Sequence, residues 1–100
     1  MRSQPTAFGW IDPDVSTAPE WDAARIRRLC RRLGYTLIWP DTPTIRFIDR
    51  VRDADVDAVV LPTPDHLDPL TLNNLMHLAD VELVSPRLSF ARWSSVGVVG

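Results

Sequence analysis

Ser16 stands in the triplet Val15-Ser16-Thr17, within the stretch FGWIDPDVSTAPEW that runs from Phe8 to Trp21. A serine hydroxyl at the mouth of a site can attack a phosphodiester or an acyl carbon. It needs a base to take its proton, and cations or N–H donors to meet the charge that develops. Asp12, Asp14, Asp41 and Asp65 are hard oxygen ligands of the kind that hold Mg²⁺. His66 follows Asp65 directly, and Arg25, Arg27, Arg28, Arg31 and Arg32 make the densest run of positive charge. Three chemistries are therefore open: attack by Ser16, Mg²⁺-assisted phosphotransfer on an acidic edge, and electrostatic docking on arginines. Which of them survives depends on the elements that position these residues.

The chain of 100 residues is a single domain on length grounds, 1–100, large enough for one core and too small for two. An apolar share of 45% beside a charged share of 24% excludes wholesale disorder. No apolar run approaches the ~20 residues that span a bilayer, and MRSQPTAFGW lacks the apolar stretch of a signal peptide, so no membrane is expected. One cysteine, Cys30, allows no internal disulfide, and a reducing cytoplasm is its simplest home. The net charge of −2 argues against a general affinity for nucleic acid, which rests on uncompensated basic groups. All 11 basic residues are arginine. We read this as the codon bias of a GC-rich genome, that of a high-GC bacterium or one of its phages.

Short apolar runs alternate with helical periodicity. Ala7 to Ile11 reads as a first strand. Thr17-Ala18-Pro19-Glu20 fits a capping box, and Ala23, Ile26, Leu29, Cys30 and Leu33 then fall on one helix face that Gly34 closes. Thr36 to Trp39 is a second strand, with Trp10 and Trp39 expected in the core. Asp41-Thr42-Pro43 restarts a helix whose inner face is Phe47, Ile48 and Val51. Ala58 to Leu61, all aliphatic, suits a strand buried on both faces. Asp68-Pro69 begins a third helix carrying Leu72, Leu75, Met76 and Ala79, and Val81 to Val84 is a fourth strand. The expected fold is α/β: four mainly parallel strands with helices on both faces, core about residues 7–86, tail 87–100.

Ligands of such sheets bind outside the carboxyl ends of the strands. Asp12, Asp14 and Ser16 follow the first strand, Asp41 the second, and Asp65, His66 and Asp68 the third. Element order, Val15-Ser16-Thr17, the strand Val56-Asp57-Ala58-Val59-Val60 and Asp65-His66-Leu67 together resemble the catalytic domain of serine recombinases, the resolvases and invertases. The resemblance covers roughly residues 7–86 and rests on loose motifs. It implies a flavodoxin-like, resolvase-type fold, with Ser16 at the nucleophile's position and Asp65 at the family's aspartate. The family places arginine where this chain has Asp14 and His66, and its later arginine falls on Pro69 or Leu70. An aspartate about 4–5 Å from a phosphate repels it by roughly 3–4 kcal/mol at an effective dielectric near 20. The family's long dimer helix and helix-turn-helix also have no room in the 14 residues from Arg87 onward.

We therefore read Ser16 and Thr17 as helix-start residues and the aspartates beside prolines as turn formers. No metal site is expected at His66 and His77, which lack partners at ligand spacing; His66 is expected to cap or flank the third helix. Cys30 is read as inert core. Arg25, Arg28 and Arg32 share one side of the first helix, a solvated face or a docking face for an acidic partner or nucleic acid backbone. Trp21 and Trp93, near element ends, would suit an interface. The expectation is a resolvase-like binding or regulatory protein that has lost the chemistry and acts on a protein partner, with a homodimer through an edge strand or the aromatic tail. Its rivals are a strand-transfer or nuclease-type enzyme using Ser16 or Mg²⁺ on Asp12, Asp14 and Asp65, and a nucleic-acid-binding module using the helix-one arginines.

Overall fold

Ala58-Val59-Val60-Leu61 forms the central strand of the sheet, and each of its side chains is buried. A computed structural model of the chain describes residues 4–40 and 46–93. The strands are β1 (Thr6–Gly9), β2 (Thr36–Ile38), β3 (Ala58–Leu61), β4 (Asp80–Leu83) and β5 (Leu88–Phe90), in the order β2-β1-β3-β4-β5. The first four are parallel, and β5 returns antiparallel to β4. Helix α1 (Pro19–Leu33) lies on one face, where Ile26, Leu29 and Cys30 pack on Ala7, Ala58 and Val60. Helices α2 (Phe47–Ala54) and α3 (Pro69–Leu75) lie on the other, where Phe47, Val51 and Leu75 join Phe8, Val59, Leu61, Val81 and Leu83. Burial of each such aliphatic side chain contributes roughly 1.5–3 kcal/mol before chain entropy is set against it.

The caps follow local chemistry. Gly34 ends α1 in the left-handed region at φ 84°, which lets its N–H reach the Cys30 carbonyl. Asp68 caps α3 by accepting from the Thr71 N–H, with Pro69 in the first turn. The start of α1 departs from the sequence reading. Its N-cap is Ala18, whose side chain makes no capping hydrogen bond, so the Thr17-to-Glu20 capping box does not form. Ser16 takes over instead, its Oγ accepting the Ala18 N–H at 3.3 Å.

The sheet has five strands rather than four. Residues 88–90, expected in the tail, pair with β4, with Val81 opposite Phe90 and Leu83 opposite Leu88. Beyond β5, the Trp93 N–H donates to the Met76 carbonyl at 2.9 Å, and its ring meets His77 edge-on at 4.7 Å. Trp10 is core as expected, but Trp39 is 40% exposed, because β2 ends the sheet on its side and only β1 flanks it. The expected helix start at Asp41-Thr42-Pro43, and with it Asp41, lies outside the described residues. No described helix is long and apolar enough to cross a membrane.

The hairpin has a consequence for the α1 face. Val81 and Leu83 point into the α2/α3 side, so by strand alternation Glu82 and its partner Ser89 point to the α1 side. Among the described helices α1 alone covers that face, and a groove is left between its flank and the β4–β5 turn.

Candidate functional site

At the carboxyl edge His66 is a structural post. It ends a 3-10 turn (Pro64–His66) and is 3% exposed. The Asp12 N–H donates to its Nδ1 at 2.8 Å. The Trp10 indole N–H donates to its carbonyl at 3.2 Å. The histidine thus ties the loop after β1 to the loop after β3 and flanks α3, whose cap is Asp68. Asp12 is a turn former: its Oδ1 accepts the Asp14 N–H at 2.9 Å, and its carbonyl accepts from Val15 and Ser16. Asp14 and Asp65 are exposed. The Thr63 hydroxyl donates to Asp65 and, with smaller contributions from a backbone N–H and His66, holds its carboxyl below the ordinary carboxylate range. At Asp68 the Thr71 hydroxyl and N–H do the same.

Ser16 donates its hydroxyl to Asp22 Oδ2 at 2.6 Å. Asp22, in the first turn of α1, thus holds the serine rather than an arginine of its own helix. A phosphate attacked by Oγ would stand about 5 Å from that carboxylate and be repelled by roughly 3 kcal/mol at an effective dielectric near 20. The only side-chain partner Oγ has among the described residues is this anion. A carboxylate could take the hydroxyl's proton, but nothing cationic is hydrogen-bonded there to neutralise a transferring phosphoryl group. Among the described residues no group of three or more His, Cys, Asp or Glu side chains is placed to hold a metal ion.

The second place is the groove. Arg25, Arg28 and Arg32 line it from α1, Leu29 and Val84 form its floor, and Arg87 enters from the β4–β5 turn; the concavity holds about 230 Å³. Spacings of three and four residues bring the α1 arginines to one helix side. Arg87 is anchored: one guanidinium nitrogen donates to Glu82 Oε1 at 2.9 Å, and the other to the Leu83 and Leu88 carbonyls. Ser89 also donates to Glu82, so the buried carboxylate beneath Arg87 is satisfied. The described ion pairs are Arg87 with Glu82 and Arg52 with Asp49, which leaves Arg25, Arg28 and Arg32 without a carboxylate partner among the described residues. Burial, and behind it the nearby Glu82, pushes the Cys30 thiol up to about 11, which makes it an unreactive core group.

The structure therefore separates what the sequence placed together. Ser16, Asp12 and His66 cluster at the carboxyl edge, but as turn and tie residues. Arg25, Arg28 and Arg32 do share a face, and Arg87 joins them from 55 positions beyond Arg32. That partnership has no local signal, since it depends on the hairpin that brings β5 back. Trp39 and Gly9 also meet: a Cβ on Gly9 would lie 2.6 Å from the Trp39 ring, so only glycine admits the indole there. The chain matches no protein-family model, no curated protein and no solved structure.

Proposed function

We propose that the chain is a resolvase-like domain without strand-transfer chemistry, a binding or regulatory protein that docks an acidic segment of a partner protein in the arginine groove. The observation that carries this reading is the convergence on one concavity of Arg87 with three arginines that have no carboxylate partner among the described residues. Arginine's planar fork meets carboxylates two bonds at a time, and the three forks of Arg25, Arg28 and Arg32 beside an apolar floor favour a short chain with acidic and aliphatic side chains. The strand order β2-β1-β3-β4, which is that of flavodoxin-like sheets, supports the resolvase-type fold. Ser16 hydrogen-bonded to Asp22 supports the loss of chemistry, and a single buried thiol supports a reducing cytoplasm.

A protein partner suits the groove better than a nucleic acid. From Arg25 to Arg32 the helix rises only about 10 Å, at about 1.5 Å per residue. That is enough for about two backbone phosphates at the ~7 Å spacing of an extended strand, too few for tight binding by counterion release. The test is fluorescence anisotropy with a labelled peptide of alternating Glu and Leu, and with a single-stranded oligonucleotide of equal length, over a series of NaCl concentrations. Peptide binding that weakens with salt and falls on combined Arg28→Ala and Arg32→Ala substitution is expected. An oligonucleotide that binds more tightly than the peptide, or a peptide indifferent to the two substitutions, contradicts it.

A further inference from the structure

A second concavity lies on the other flank of α1. It holds about 390 Å³ at the carboxyl ends of β1 and β2, with Ile11, Ala23, Trp39 and Pro40 as apolar walls and Glu20 and Arg27 as its charged groups. That volume is within the roughly 300–1,000 Å³ of small-molecule sites, which are typically apolar with a few orienting polar groups. It opens beyond the carboxyl ends of two parallel strands, the end of the sheet at which folds of this kind hold ligands.

The wall is built for close approach. Gly9 has no side chain to block the Trp39 ring, which leans over the end of β1 and still leaves 40% of the residue open to solvent. A partly exposed indole beside prolines and aliphatics is a stacking surface for a flat ring. Glu20 and Arg27 are seven residues apart on the same side of α1, so they sit about 10 Å apart along the axis. Arg27 has no ion-pair partner among the described residues. The two charges therefore polarise the ends of the pocket, with an anion favoured at Arg27 and excluded near Glu20.

We propose that this pocket binds a small planar aromatic carboxylate, its ring against Trp39 and its carboxylate on the Arg27 guanidinium. This is independent of the arginine groove, which lies on the opposite flank of the helix.

The test is isothermal titration of the intact chain with naphthalene-2-carboxylate and, as the uncharged analogue, 2-naphthalenemethanol. One-to-one binding of the carboxylate is expected, weakened about tenfold by Arg27→Gln, the effect of losing one charge-assisted hydrogen bond. The alcohol's affinity should not respond to that substitution. Trp39→Ala should weaken both ligands about tenfold or more, and Trp39→Phe, which keeps an aromatic wall and guards against misfolding, should restore most of the affinity. Combined Arg28→Ala and Arg32→Ala substitution should leave both unchanged. No binding at about 5 mM ligand, equal binding of acid and alcohol to the wild-type chain, or indifference to Trp39→Ala overturns the proposal.

Discussion

Replacing Arg28 by glutamine tests whether the groove arginines are held against their own electrostatic interest. Arg28 has Arg25 three residues before it, and Arg31 and Arg32 three and four residues after it. None of the neighbours at these spacings is acidic. Each like-charge pair of this kind costs about 0.2–0.5 kcal/mol, so three pairs amount to about 0.6–1.5 kcal/mol. Glutamine's helix propensity is close to arginine's, and the side chain is exposed, so little packing is lost. Arg28→Gln should therefore stabilise the domain. At roughly 4–8 °C per kcal/mol for a domain of this size, Tm should rise by about 2–12 °C. Calorimetry at low ionic strength reads the effect. In about 1 M NaCl, where the screening length is about 3 Å, most of the gain should vanish. The same variant should bind the Glu/Leu peptide less tightly. A Tm that is unchanged or lower at low salt would mean that the arginines are already compensated and do not repel one another.

Further expectations follow from the hydrogen-bond framework. His66→Ala leaves the Asp12 N–H unpaired and opens a void at a buried site, and should destabilise the fold by about 2–4 kcal/mol in a guanidinium melt. Ser16→Ala should weaken the start of α1 by about 1 kcal/mol, and supercoiled DNA incubated with the wild-type chain should give no covalent adduct at Ser16. The carboxyls of Asp65 and Asp68 titrate below their ordinary value of 3.8. The stability they add is present above that pH and is lost as pH falls through their depressed values. Asp68→Ala should lower Tm at neutral pH and flatten part of this acid dependence. Cys30 is the reverse case: its thiol rises from 9.0 to about 11. The stability linked to its neutral form is complete below pH 9.0 and fades toward about 11, and a thiol reagent at pH 8 should label it only on unfolding.

Much of the fold was legible because local physics specifies it. Gly34 at a left-handed cap, Asp68-Pro69 opening α3 and four aliphatics in β3 carry their conformations in their types and spacing. β5 was not legible. Leu88-Ser89-Phe90 is short and exposed, and its place depends on pairing with β4 and on Arg87 and Ser89 closing over Glu82. Trp39 misled for a related reason, since an aromatic on a short apolar run reads as core until the strand order puts it at an edge. At the site, the side shared by Arg25, Arg28 and Arg32 follows from helical periodicity alone. Arg87 does not, and neither does Asp22 taking the Ser16 hydroxyl in place of a nearby arginine.

The proposed binding surface is the charged α1 flank and not the serine edge. Titrating the isotope-labelled chain with the Glu/Leu peptide, and following both backbone amides and arginine side-chain resonances, tests it most directly. Shifts confined to Arg25, Arg28, Arg32, Val84 and Arg87, all reduced by added salt, are expected. Shifts centred on Asp12, Ser16 and His66, with the arginines silent, would contradict it.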